Sequence, residues 1–295
     1  LQSRRPVQFI LDNGVRRPLT RLRWLDSGAN AWYQGLQMTL QKRMSNGLSF
    51  SIAHTFSKSL MEGYGRNEGD GSNPNTYQNP RNRAAEKQRA GFDATHNMVA
   101  NFVYDLPTPE AFKKGIANVI LGGWQTNGIV TLRTGFPFTV TQGAITNTAN
   151  VTIRPDRLTN GSLANATVNQ WFNPDAFRLV SCQNTALPEL CRYGNSGVGI
   201  LEGPGFKNVD FSVFKNFTVT ERVRVQFRTE MFNVFNTPQF ARPASGLNTG
   251  PGFLPSGTPG NIVFPSQANI VRGPGAITSL VAPMRQIQFG LKVQF

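Results

Sequence analysis

The sequence predicts an all-β chain, an open antiparallel sheet of seven long strands belonging to the wall of a transmembrane barrel. Three observations carry this. Residues 286–295 alternate without a miss: Ile287, Phe289, Leu291, Val293 and Phe295 take one face, and Gln286, Gln288, Gly290, Lys292 and Gln294 take the other. A period of two is a strand with one apolar side. The connections between such segments alternate short and long, and in antiparallel strands alternate connections lie at opposite ends. All the long loops therefore gather at one end, as in membrane barrels. Finally, no stretch approaches the roughly 18 uninterrupted apolar residues of a membrane helix. A membrane role then falls to strands, which are only weakly hydrophobic because half of each faces a lumen.

Composition agrees. The 295 residues include 29 Gly and 19 Pro, with 16% charged and 11% aromatic residues, a turn-rich β composition. The length suits one large all-β domain or two small ones. The net charge of +14 invites a nucleic-acid reading, but the excess is scattered over strands and short turns rather than gathered on one groove or helix. No nucleic-acid partner is expected. The opening, Leu1-Gln2-Ser3-Arg4-Arg5-Pro6, is too polar for a signal peptide, and the expectation is a mature form or a fragment.

In chain order, residues 1–29 are basic and proline-punctuated and read as a loop remnant. A first strand covers 30–43, with Trp32, Leu36, Met38 and Leu40 on one face and Gln34 as an exception. Asn46-Gly47 favours a tight hairpin, since both residues tolerate positive φ. The return strand, 48–59, sets Leu48, Phe50, Ile52 and Phe56 against Ser49, Ser51, Ala53, Thr55 and Ser57. After a long Gly/Asn/Arg-rich loop at 61–95, a third strand at 96–105 carries Met98, Ala100, Phe102 and Tyr104 on one face. A connection at 106–121 holds Pro107 and Pro109. The fourth strand, 122–140, opposes Trp124, Val130 and Leu132 to Gln125, Asn127, Thr131 and Arg133. The longest loop spans 141–205. The fifth strand, 206–217, sets Val209, Phe211 and Val213 against Asn208, Asp210 and Ser212. A short turn at 218–221 leads to the sixth strand, 222–235, where Val223, Val225, Phe227, Thr229 and Met231 alternate with Arg222, Arg224, Gln226, Arg228 and Glu230. A Pro/Gly-rich loop at 236–284 precedes the closing strand. Trp32, Tyr104, Trp124, Phe217 and Phe295 stand at the ends of apolar faces, as girdle aromatics do. An odd count of seven strands cannot close a membrane barrel, so further strands or oligomerisation are expected.

Candidate chemistry is sparse. Arg133, Arg222, Arg224, Arg228, Glu230 and Lys292 fall on the polar side and are expected to line the lumen, suiting a polar wall or an anionic solute. Cys182 and Cys191 have eight residues between them, which suits a local disulfide in an oxidising compartment; free thiols are the alternative. Nucleophilic catalysis needs a base beside the nucleophile, and the two histidines, His54 and His96, accompany no Gly-x-Ser-x-Gly elbow. No enzyme and no cofactor are expected. Glu68-Gly69-Asp70 hints at a calcium loop but lacks its spacing. The sequons at Asn150 and Asn165 read as Asn/Thr-rich loop.

Particular phrases narrow the reading. The chain contains Asn30-Ala31-Trp32-Tyr33-Gln34-Gly35, His54-Thr55-Phe56-Ser57-Lys58-Ser59 and Leu121-Gly122-Gly123-Trp124-Gln125-Thr126-Asn127-Gly128. It continues with Thr134-Gly135-Phe136-Pro137-Phe138-Thr139, Trp171-Phe172-Asn173-Pro174-Asp175-Ala176-Phe177 and Met231-Phe232-Asn233-Val234-Phe235-Asn236-Thr237-Pro238, and it ends on the terminal aromatic strand. In this order, over residues 30–295, they resemble the C-terminal strands of TonB-dependent outer-membrane receptors, in particular the Oar-like branch. The resemblance implies a 22-stranded barrel of which these are the last seven strands. It implies import of a large or scarce solute, an N-terminal plug and earlier strands that this sequence does not contain, and energy from the inner-membrane TonB complex. It further implies outer-membrane lipid as surroundings and an assembly signal, Phe289, Leu291, Val293 and Phe295, read by the barrel-insertion machinery. A passive porin or surface adhesin is the alternative, and a barrel hydrolase a remote one.

Overall fold

The computed structural model describes residues 9–12, 15–18, 28–62, 78–79, 82–142, 154–180, 193–220, 223–247, 254–255, 262–263 and 273–295. Seven long strands form its frame: β1 (Ala31–Ser45), β2 (Leu48–Glu62), β3 (His96–Asp105), β4 (Trp124–Arg133), β5 (Phe206–Thr218), β6 (Arg224–Phe232) and β7 (Gln286–Gln294). Each is antiparallel to its neighbour in the chain, and their order in the sheet is their order in the sequence. The three-residue strand Lys87–Arg89 extends the sheet as an eighth, pairing with the end of β2 that β3 does not reach. β1 and β7 do not pair with each other, so the sheet is open.

Registers assign the faces, because directly opposed residues of an antiparallel pair share one side. Leu36 lies opposite Phe56, Leu40 opposite Ile52 and Phe50 opposite Phe102. Ala100 lies opposite Val130, Val130 opposite Val209, Phe211 opposite Met231 and Met231 opposite Ile287. One continuous apolar face therefore crosses all seven strands. The other carries Gln37, Thr39, Ser51, Asn101, Asn127, Ser212 and Gln288 by the same registers. Phe289 and Leu291 are each 70% exposed, and none of the buried hydrophobic residues lies in β1–β7. A sheet in water would cover such a face with a second layer; this one leaves it bare.

Turn chemistry fixes the ends. Asn46 and Gly47 both have positive φ, 52° and 75°, which matches the twist of a two-residue hairpin. The connections 46–47, 106–123 and 219–223 lie at one end of the sheet, and 63–95, 134–205 and 233–285 at the other.

Several boundaries differ from expectation by a few residues, β2 running on to Glu62 for one, and four differences have a structural cause or consequence. The fourth strand leaves the sheet at Arg133 instead of running to 140. At the break the chain runs close to its neighbour: a Cβ at Gly135 would stand 1.8 Å from the Gly203 carbonyl oxygen, an approach that only glycine permits. Pairing resumes in the same register between Pro137–Phe138 and Leu201–Glu202. The sixth strand ends at Phe232 rather than 235, where Asn233 turns the chain with φ of 50°. The connection 106–121 is not simple loop: it holds a 3-10 turn, Glu110–Phe112, and a helix, α1 (Gly115–Leu121). Residues 1–29 are not wholly loop either, since Phe9–Asp12 pairs antiparallel with Val15–Pro18.

The buried core lies outside the sheet. Phe138, Val140, Phe172, Ala176, Phe177, Leu201 and Leu247 form it, all from the long connections. Phe172 contacts Phe138 in a tilted arrangement and Phe177 edge-on, at 5.8 and 6.0 Å between centroids, geometries that aromatic quadrupoles favour. The loops thus make a cap with a core of its own.

Candidate functional site

Two surfaces are candidates for function, the polar face and the cap above it. On the polar face the structure brings Arg133, Arg224, Arg228, Glu230 and Lys292 to one side of the sheet, on β4, β6 and β7. Arg222 lies outside the described residues. Arg228 stacks over the Phe214 ring at 5.1 Å and donates from Nε to Gln226 Oε1, while Gln226 Nε2 donates to Asn216 Oδ1 at 2.7 Å. Glu230 accepts from Gln288 Nε2. Arg133 lies over Phe136 at 4.1 Å, and its Nε is buried without a hydrogen-bond partner. Among the described residues these arginines and Lys292 form no ion pair, so the wall keeps its positive charge available.

The cap is held by buried polar groups as well as by its aromatic core. Arg154 is bidentate to Glu86, at 2.8 and 3.0 Å, and Glu86 is 1% exposed. The same arginine donates from Nε to Ser196 O and from its backbone N to Gln78 Oε1. Gln78 in turn donates to Glu86 Oε1 and to Gly194 O. Three distant segments are thereby locked into one network whose members are satisfied, the condition for a buried charge pair to be tolerated. Gln142 and Val180 exchange two hydrogen bonds, and Leu247 N donates to Thr141 O, tying in the third loop.

A second cluster anchors the cap to the sheet. Asp93 accepts from Ser59 N and from Arg89 Nε, both at 2.7 Å, and Arg89 Nη1 lies 3.3 Å from Glu202 Oε2. Burial works against the Arg89 charge, but hydrogen bonds and charge from Asp93 and Glu202 outweigh it, and its pKa sits above the ordinary value. Beside Glu202 the cap opens a cleft of about 270 Å³ lined by Phe138, Leu163, Trp171, Phe172 and Leu201. Trp171 donates its indole N–H to the Glu202 carbonyl.

His54 and His96 meet on the apolar face, His54 Nε2 to His96 Nδ1 at 3.3 Å with rings stacked, and Phe56 packs on His96. Asn165 is exposed on the cap. Cys182 and Cys191, the 68–70 stretch and Asn150 lie outside the described residues. The cap network of Gln78, Glu86 and Arg154 went unread in the sequence. The cap's aromatic core did leave a local signal, the phrase at 171–177, which is dense in apolar rings for a solvated loop.

An open meander with one bare apolar face, one polar face and all long loops at one end is the wall of a membrane-spanning β-barrel. The family model described as outer membrane beta barrel domain matches residues 1–288, and the chain belongs to that family. It is a protein of the bacterial outer membrane, and the apolar face is its lipid side. No curated protein and no solved structure matches it.

Proposed function

We propose that the chain is the C-terminal wall of a TonB-dependent outer-membrane receptor of the Oar-like branch, importing a large or scarce solute with energy from the inner-membrane TonB complex. The observation that carries this is the open sheet: seven full-length strands in a continuous meander leave the outer edges of β1 and β7 without a partner among the described residues. Lipid does not tolerate bare backbone groups, so the wall requires further strands, as a large receptor barrel supplies. The phrases shared with that family support the same reading. The lumen is the polar face, where Arg133, Arg224, Arg228, Glu230 and Lys292 form a charged wall for a plug to rest against. By the usual sidedness of such barrels the short turns are periplasmic and the cap extracellular, which sets the cap's cleft where solute arrives. The chain has no catalytic role in this reading; its two histidines pair with each other on the lipid side.

A porin or adhesin would share the wall, and the packed cap suits an adhesin equally well. The readings separate in two measurements on the full-length protein. A receptor stays closed in a planar bilayer and binds the periplasmic domain of TonB. Steady open-channel conductance, or no TonB binding by a correctly folded barrel, would overturn the proposal.

A further inference from the structure

One apolar surface lies outside the strands. Helix α1 and the turn before it sit at the short-turn end of the sheet, in the connection between β3 and β4. Ile116 is 80% exposed, Ile120 60% and Val119 58%, with Phe112 and Leu121 also exposed. A seven-residue helix is far below the length that holds in water unaided, and this one turns its large side chains outward instead of onto the protein.

Its placement identifies what covers it. Trp124 and Lys215 are directly opposed on the lipid side of β4 and β5. The Trp124 indole donates to Ile120 O at 2.9 Å, and Lys215 Nζ donates to Ile120 O and Gly122 O. The C-terminal end of α1 is therefore fastened to the lipid-facing side of the wall, and its free carbonyls partly offset the charge of a lysine that would otherwise stand bare beside lipid. Lys215 is buried there, between the Trp124 and Phe217 rings. Lys113 pairs with Glu110, whereas Lys114 is exposed and pairs with no group among the described residues.

We propose that residues 112–121 form an interfacial anchor embedded in the periplasmic leaflet of the outer membrane. Ile116, Val119 and Ile120 lie among acyl chains, and Lys114 sits at the level of phospholipid phosphates. The surface continues the lipid-facing band, and an apolar face with a flanking lysine is the composition of a helix lying in the membrane plane. The inference rests on the outer-membrane assignment and on short turns being periplasmic; it does not depend on what the barrel transports.

A photoreactive benzophenone residue placed at Ile116, in the protein as inserted in the outer membrane of cells, tests it. Phe289 serves as a lipid-side reference and Asn165 as a cap reference. The expected result is phospholipid adducts at Ile116, lipid adducts of either leaflet at Phe289, and neither at Asn165. Adducts at Ile116 chiefly to protein, to lipopolysaccharide, or to nothing while Phe289 labels lipid would overturn the anchor. Loss of lipid adducts at Phe289 as well would instead remove the membrane placement of the whole apolar face. Val119 carries the same probe if substitution at Ile116 hinders insertion.

Discussion

At the scale of single residues, position along a strand decides the consequence of a charge. Phe289 and Gln288 are adjacent in β7, yet Phe289 faces Thr229 on the lipid side and Gln288 faces Glu230 on the polar side. A lysine at Phe289 buries charge in hydrocarbon and is expected to cost about 2–4 kcal/mol near the bilayer midplane. Gln288→Lys places the same charge beside Glu230 and is expected to be nearly silent. Urea unfolding of the inserted protein measures both, and equal losses would show that the faces are assigned wrongly. In the cap the sensitive residue is Glu86. Glu86→Gln leaves the Arg154 guanidinium buried without its counter-charge, and breaking one side of such a pair costs about 3–5 kcal/mol. The expected outcome is faster proteolytic cleavage within the cap while barrel insertion stays normal. The double change Glu86→Gln, Arg154→Met removes both charges and should recover much of the resistance. If Glu86→Gln cleaves no faster than the parent, the network does not hold the cap together.

At the scale of elements, what could be read in advance was what depends on near neighbours in the chain. The strands were legible because lipid on one side and a polar lumen on the other impose a period of two, and ten residues suffice to show it. Asn46-Gly47 was legible because its backbone conformation is set locally. The cap was not: Gln78 meets Gly194 across 116 positions, and Glu86 meets Arg154 across 68, distances over which pattern carries no information. Helix α1 escaped because seven residues are too few to show a 3.6-residue period. The hairpin before residue 19 did leave a signal, Asn13-Gly14, hidden by the surrounding arginines and prolines. Among the candidate site residues, membership of the polar face was legible for Arg133, Arg224, Arg228, Glu230 and Lys292. Their hydrogen bonds and ring contacts, such as Arg228 over Phe214, depend on registers that no single strand reveals. The element whose role reaches furthest is β7. Loss of the terminal ring alone should cost on the order of 1–3 kcal/mol of burial, too little to unfold a large barrel. If β7 is instead the signal for delivery to the insertion machinery, deletion of Phe295 should nearly abolish heat-resistant, membrane-inserted protein. Near-normal insertion of the deletion variant would leave Phe295 as an interfacial aromatic and nothing more.

At the scale of the whole molecule, the two free edges govern behaviour. Along the outer edges of β1 and β7 a row of backbone groups has no ladder partner among the described residues, and in hydrocarbon each such group costs several kcal/mol. The cap cannot offset this, since its core joins the long loops and leaves the two edges apart. A stretch holding only these seven strands is therefore expected to fail as a monomeric barrel. Expressed by itself, it should migrate identically before and after boiling on a denaturing gel and give aggregates on size exclusion in detergent, because an exposed edge recruits any available strand. Supplied with the strands that complete the wall, the same residues should become heat-resistant and protected from protease on the short-turn side. Closure by self-association is the competing outcome: a discrete, heat-resistant oligomer formed by this stretch alone would show that β1 of one copy pairs with β7 of the next, and that the barrel needs no other strands.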